Sequence, residues 1–558
     1  MMISACHSLL PSMLHPPYLY NTWCPRMHGD RSPNYSAAHV TLGGQPAMAG
    51  DGGITVHVEW LARRLAQQQE DAAATEQHRI MVTTHRVSRV PAHLRATNPD
   101  AYTPGLVAIG PLHAKDGRLR AGSRLKMAYL NSLISRGHPD ASGHLAVIQG
   151  YVRLVAARER EARAMYAAED VDDLPADDFI QMLVLDGCFI LEHLVNFATG
   201  REEPSLHAVP FGPAQLSVDL VLAENQIPFF VLADLIGGTR LPEFDTTGFD
   251  PLNLLMKLAL YYLAGEKGRD MTDALPPPGD VCHILHLLHS TVAAARTRWE
   301  PPPRIQDGAP LEMMQEAARL LRRLPLLLLV PLLYPILPEE RRWRASYGRE
   351  DLPSATDLKR MWVRFRKVRS GSKSAAPAPA PAGGTIASVL GPVPLAVKLA
   401  HEDRLRLPQL RVEQRTLPLL LNLMAFEQSA DQLLAAADVS AYVWLMAKLV
   451  QSPEDAGVLV AAEVVVHGGA AGGESKEDVE RFFRRVGAAS EAAGEELDKS
   501  YLGETLRKLR ERSQHPLFMM WADVQRNYFT VPWAVVAEFV AFITFISTIL
   551  QTYGSFKH

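Results

Sequence analysis

The sequence predicts a mainly α fold: a large helical domain with loop insertions and a C-terminal single transmembrane helix. Three observations predict it. Apolar residues recur at helical spacing through most of the 558 residues, strand-like alternation is scarce, and an apolar run from Trp533 to Leu550 carries one charge, Glu538. Composition permits a sizeable core, with 47% hydrophobic and 21% charged residues. The 57 Lys plus Arg stand against 61 Asp plus Glu, a net charge of −4. Such a balance supplies no overall basic field, so nucleic acid is not an expected partner. The four cysteines, Cys6, Cys24, Cys188 and Cys282, suggest no disulfide framework and fit a reducing compartment.

In chain order, residues 1–50 read as a disordered arm, and the prolines at 11, 16 and 17 spoil any signal-peptide core. Helical text begins at Ile54, and residues 51–369 form the first part of the helical domain. Proline and glycine make THRVSRVPAHLRATNPDAYTPGLVAIGPLH extended chain and turns, whereas 117–167 return to helix. DDFIQMLVLDGCFILEHLVNFATG (177–200) is an apolar helix with Asp177 and Asp178 as cap and first-turn acids. LRRLPLLLLVPLLYPILP (321–338) is too interrupted by proline to span a membrane and reads as buried turns. SGSKSAAPAPAPAGG (370–384) is a disordered insert, and residues 385–530 form the second helical part. There Val479, Phe482, Phe483 and Val486 mark a core-facing stripe, with Ser475 and Asp478 as a helix-starting pair.

Residues 531–553 are the expected membrane anchor. Trp533 to Leu550 covers ~27 Å as a helix, close to the ~30 Å hydrocarbon core. Tyr528, Phe529, Trp533 and Tyr553 suit an aromatic belt, and Glu538 lies near one end of the run. Membrane lipid is therefore an expected partner, and the large N-terminal part is expected in the cytosol.

Chemistry is harder to find. CHILHLLH offers Cys282, His283, His286 and His289, but the histidines drift around the helix, so two can share a metal and three do so poorly. Structural histidines are expected, with no metal and no cofactor. KRMWVRFRKVR (359–369) interleaves bases with Trp362 and Phe365, which fits either anionic headgroups or a solvated face beside a packed one. Asp186, Glu192 and Glu224 sit in apolar text and could form an acid/base set, yet no nucleophile elbow, phosphate loop or zinc motif accompanies them. No catalytic residue is assigned. In VDLVLAENQIPFFVLADLI, Pro228 marks a helix junction, with Asn225 expected as an N-cap and Glu224 and Gln226 satisfying nearby donors.

Several blocks, in order, resemble the plant domain-of-unknown-function 247 family: HRVSRVPAHLRATNPDAYTPGLVAIGPLH, MLVLDGCFILE, LVLAENQIPFFVL, LPSATDLKRMWVRF, NLMAFEQ, SPEDAGVLV and NYFTVPWAVVAEF. The resemblance runs from about residue 83 onward. Asp186, Gly187, Cys188, Glu192, Glu224, Asn225, Gln226 and Pro228 carry its most specific part, as structural residues. It implies a helical plant protein with a membrane-anchoring segment and no established catalytic residues. Some grass members are associated with pollen-side self-incompatibility, which implies recognition or signalling through a protein partner, with the plasma membrane as one candidate location. Two other readings stay open: a hydrolase-like enzyme using the buried carboxylates, and a soluble regulatory helical protein with its last helix docked on the core.

Overall fold

The structure is a computed structural model describing residues 87–528, apart from 88, 202, 210, 245–249, 266–274, 298–351, 369–388, 391–394, 401–402, 430–436, 468–474 and 492–499, together with 540, 544–549 and 551–552. The chain divides into two units, residues 1–71 and residues 72–558, and every described residue belongs to the second.

Its first half comprises α1 (Ala92–Thr97), α2 (Arg120–Gly137), α3 (His144–Ala157), α4 (Ala176–Thr199), α5 (Gly212–Asp219), α6 (Phe229–Gly237), α7 (Pro251–Ala264) and α8 (Ile284–Thr297), with further short helices and turns between. The second half adds α9 (Ala355–Arg360), β1 (Arg364–Lys367), β2 (Lys398–Ala400), β3 (Arg404–Leu407), β4 (Leu410–Val412), α10 (Thr416–Ser429) and α11 (Asp438–Leu449). It continues through α12 (Pro453–Ala461), β5 (Val465–His467), α13 (Lys476–Ser490), α14 (Gly503–Gln514) and α15 (Pro516–Tyr528).

The helix α4 organises the first half. It is apolar enough around its circumference to be enclosed, and α2, α3, α6 and α7 all pack on it. Gly187 permits the closest approach, because a Cβ there would collide with the Leu235 side chain of α6. Cys188 is fully buried as well, and burial pushes its thiol up. Asp177 and Asp178 occupy the first turn, as their sequence suggests, but the N-cap position is Pro175 and no side chain caps it. In the second half α10, α11 and α13 pack together, with α12 against α13. Val479, Phe482, Phe483 and Val486 are all buried in α13, as the spacing predicts. Ser475 holds the N-cap position, but its hydroxyl bonds Glu477 rather than a helix amide. One hydrophobic cluster runs through both halves.

Mainly helical character is therefore correct, with two short sheets besides among the described residues. One has the order β1-β3-β2, with β1 parallel and β2 antiparallel to β3; the other pairs β4 with β5 in parallel. Among the described residues, α4 is the one helix long and apolar enough to cross a membrane, and it is mostly buried inside the protein. Its Asp186 and Glu192 are ion-paired there, as a core helix requires. The expected anchor residues Trp533, Glu538 and Leu550 lie outside the described residues, as do the helix expected from Ile54, the 321–338 run and the 370–384 insert.

Candidate functional site

A polar junction is buried where Asp186 on α4, Asp219 at the end of α5 and the turn Glu224–Gln226 face an irregular strap, residues 89–110, in which α1 and a short 3-10 turn are joined by extended chain. Outside α1 and the turn that follows it the strap does not satisfy its own backbone, and burying it requires partners for its amides. Side chains supply them. Glu224 Oε1 accepts from Val90 N at 2.6 Å. The Asp219 carboxylate accepts from three successive amides, Gly105 at 3.0 Å, Leu106 at 2.7 Å and Val107 at 2.8 Å. Asn225 Oδ1 accepts from Ile109 N at 2.6 Å, while its Nδ2 donates to Val107 O and Asp219 O at 3.0 and 2.9 Å. Asp186 Oδ2 accepts from Gly110 N at 2.7 Å. Gly110 has φ +73°, and a Cβ there would meet the Gln226 carbonyl at 2.6 Å.

The expected N-cap role of Asn225 is thus corrected. Pro228, at φ −59° and ψ 135°, occupies the N-cap position of α6 without a side-chain cap. The break itself is present, because Pro228 disfavours helix geometry at Ile227. Freed from capping, the Asn225 amide bridges the strap to α5. Gln226 turns the other way, donating to Leu220 O and Leu222 O and accepting from Leu285 N on α8. The backbone N–H of Phe229 donates to Cys282 O at 2.7 Å, so the junction also fixes the start of α8.

The three carboxylates that could have formed an acid/base set do not assemble into one. Asp186 pairs with Lys126, Glu192 with Arg136, and Glu224 with Arg95 and His113, so no two share a partner. Burial pushes Asp186 and Glu192 above the usual carboxylate range, against the pull of Lys126 and Arg136. Glu224 goes the other way. Burial is its largest single influence and raises it, but hydrogen bonds from His113, Arg95 and Val90 N together bring it down to about 2.

His193 on α4 is the converse case. Its ring stands edge-on to Tyr262 at 5.0 Å, and burial lowers its pKa to about 4. An unfolded histidine takes its proton near pH ~6.5. The unfolded chain therefore binds more protons between these values, and stability present above pH 6.5 is lost as pH falls towards 4. The loss is about 3 kcal/mol for this group. Glu224 extends the same sign to lower pH, from its unfolded value towards 2. Urea midpoints measured across pH should show both windows, and His193→Phe should flatten the upper one alone. An unchanged upper slope in that variant would refute the assignment.

The CHILHLLH residues are structural in their contacts. Cys282 Sγ donates to Asp280 O at 3.3 Å and lies 3.1 Å from His286 Nδ1, and His289 Nε2 lies 2.9 Å from Glu427 Oε1. Burial raises the Cys282 thiol, which opposes nucleophilic use. All three histidine rings pack around Phe426. Among the described residues no group of three His, Cys, Asp or Glu is placed to hold a metal.

Outside the strap lies an open cleft of about 360 Å³, lined in part by Lys115, Arg120, Ser123, Lys126, Asp178 and Gln181, with Asp186 at its wall. Both signs of charge line it. The sequence reading missed Asp219, and also Asn422, whose amide donates to Ala101 O and accepts from Ala223 N, both at 2.8 Å. The signal was available in each case: a short polar side chain inside apolar helical text needs a partner when buried.

A second feature lies far along the chain. Residues 540, 544–549 and 551–552 are helical and exposed, with Phe545 61% and Val540 54% accessible, and Ile546 and Ile549 also exposed. The hydroxyls of Thr544, Thr548 and Thr552 donate one turn back, to the carbonyls of Val540, Thr544 and Thr548, at 2.8, 2.7 and 2.7 Å.

Fold and junction together define a class: a large helical protein in which buried carboxylates and amides hold an N-terminal strap against the core. The model of the DUF247 family, described as plant protein of unknown function, matches residues 87–547, and the chain belongs to that family. It is similar to the UPF0481 protein At3g47200 of Arabidopsis thaliana, 24% identical over 480 residues, covering 84% of this chain and 85% of that one. It is also similar to the putative UPF0481 protein At3g02645 of the same plant, 26% identical over 160 residues, 29% of this chain and 28% of the other. No solved structure matches.

Proposed function

We propose that this protein is a membrane-anchored recognition or signalling component, held by a single pass over residues 531–553, whose helical body binds another protein. The observation that carries the anchor is that residues 540, 544–549 and 551–552 are helical and exposed. Their apolar side chains face outward, and their threonine hydroxyls are satisfied by carbonyls one turn back. In hydrocarbon such internal satisfaction removes most of the cost of a hydroxyl. Glu538 near the end of the segment costs less than the roughly 2.5–3.5 kcal/mol of a central acid. Partner binding is supported by Phe211, 83% exposed and held at φ 58°, an unfavourable conformation for a bulky residue. A link to self-incompatibility would be one form of such recognition.

Carbonate extraction of membranes carrying the full-length chain, and a chain lacking 531–558, tests the anchor. The full-length protein is expected to stay with the membrane and the shortened one to be released. Release of both would overturn the anchor.

A further inference from the structure

One face of the three-stranded sheet is cationic, with Arg366 and Lys398 exposed and Arg406 half-buried. In a sheet, registered neighbours point to the same side and alternate residues repeat it. The register sets Arg366, Arg406 and Lys398 abreast across β1, β3 and β2, with Arg364 and Arg404 beside them on the same face. Phe365 and Leu405 take the opposite face and are buried.

The two rows differ in compensation. Asp403 pairs with Arg364 and lies 3.9 Å from Arg404. Among the described residues, no carboxylate pairs with Arg366, Arg406 or Lys398. Glu504 on α14 is within electrostatic reach of Lys398, but it is hydrogen-bonded to Lys508. Like charges directly opposite in a sheet are destabilising. With strands ~4.8 Å apart, three cations stand within roughly 10 Å of one another. Folding gains nothing from that row, whereas a flat anionic surface would neutralise it.

Its position favours a membrane surface. β1 follows Trp362, whose ring packs on Trp521 at 5.3 Å and on Phe518 at 6.0 Å, both on α15. Arg512 of α14 donates to Met361 O at 3.1 Å, fixing the same junction. From Trp521 to the end of α15 at Tyr528 is ~10 Å along the helix, about one Debye length. Residue 531 follows three positions later.

We infer that the row Arg366, Arg406 and Lys398 docks on anionic lipid headgroups of the bilayer that holds residues 531–553, an inference that rests on the anchor reading above. Each cation near such a surface strengthens binding about fivefold, so the row contributes on the order of a hundredfold. A planar row of side chains matches a charged plane better than a pocket for one small anion.

The test uses the full-length chain with vesicles of phosphatidylcholine alone or with added phosphatidylserine. Acylation of Lys398 by a water-soluble, membrane-impermeant reagent is followed by mass spectrometry, with exposed Lys115 as internal reference. On phosphatidylserine vesicles at low salt, Lys398 labelling should fall about tenfold or more relative to Lys115, and high salt should restore it. The double variant Arg366→Gln, Arg406→Gln should lose most of that protection while keeping its thermal midpoint and its carbonate resistance. Equal Lys398 labelling on both vesicle types, or full protection in the folded double variant, would overturn the inference. Carbonate release of the wild-type chain from neutral vesicles would count against the anchor, and serine-lipid protection of Lys398 would then still report on the sheet.

Discussion

Replacing Asn225 with leucine is expected to destabilise the protein by about 3–6 kcal/mol, because three buried backbone groups lose their partner at once. These are the N–H of Ile109 and the carbonyls of Val107 and Asp219, each within 3.0 Å of the amide. Leucine is close in size, so the loss is polar rather than a cavity. Asn225→Asp distinguishes this from a packing effect. It keeps the acceptor for Ile109 N but turns a lone pair towards two carbonyls, and should be at least as damaging. The urea midpoint at unchanged slope is the measurement. A cost below about 1 kcal/mol for the leucine variant would mean that the strap is held elsewhere.

The second large effect is expected at Arg136. Its side chain is 4% exposed and clamps Glu192, itself 1% exposed, at 2.6 Å. It also reaches Asn196 Oδ1 at 2.7 Å and Glu243 at 2.5 Å. Arg136→Met leaves the Glu192 charge buried without its cation, at a cost of roughly 3–5 kcal/mol. Burial already pushes the Glu192 carboxyl up, so in the variant it takes a proton readily, and the deficit should shrink as pH falls. Adding Glu192→Leu removes the orphaned charge and should recover much of the loss. A double variant as unstable as the sum of the single ones would show that the pair is not coupled.

Sequence reading succeeded where burial follows a simple period. The α4 helix is a long apolar run with acids in its first turn, and α13 shows its stripe directly, so both elements are legible from spacing. It failed where the deciding contact is remote. Asn225 next to a proline break looks like a cap, since the sequence offers no sign that Ile109 lies across from it, 116 positions away. The three-stranded sheet was hidden for the same reason. Its strands have three or four residues, and Arg364 pairs with Arg404 across forty positions that include the proline-rich insert. RFRK and RLRL do alternate, but four residues are too short a pattern to separate a strand from a basic helix face. The carboxylates Asp186, Glu192 and Glu224 were recognisable as buried polar groups; their separate cations were not, because Lys126, Arg136 and Arg95 lie in otherwise ordinary charged text.

The amide of Asn422 sets a timing problem for synthesis. Its Nδ2 holds Ala101 O and its Oδ1 holds Ala223 N, and 321 residues separate it from Ala101. At ~5–20 residues per second, the ribosome delivers Asn422 roughly a quarter-minute to a minute after the strap has emerged. Throughout that interval the apolar surface of the first helices waits for α10, so the nascent chain depends on being shielded until its second half arrives.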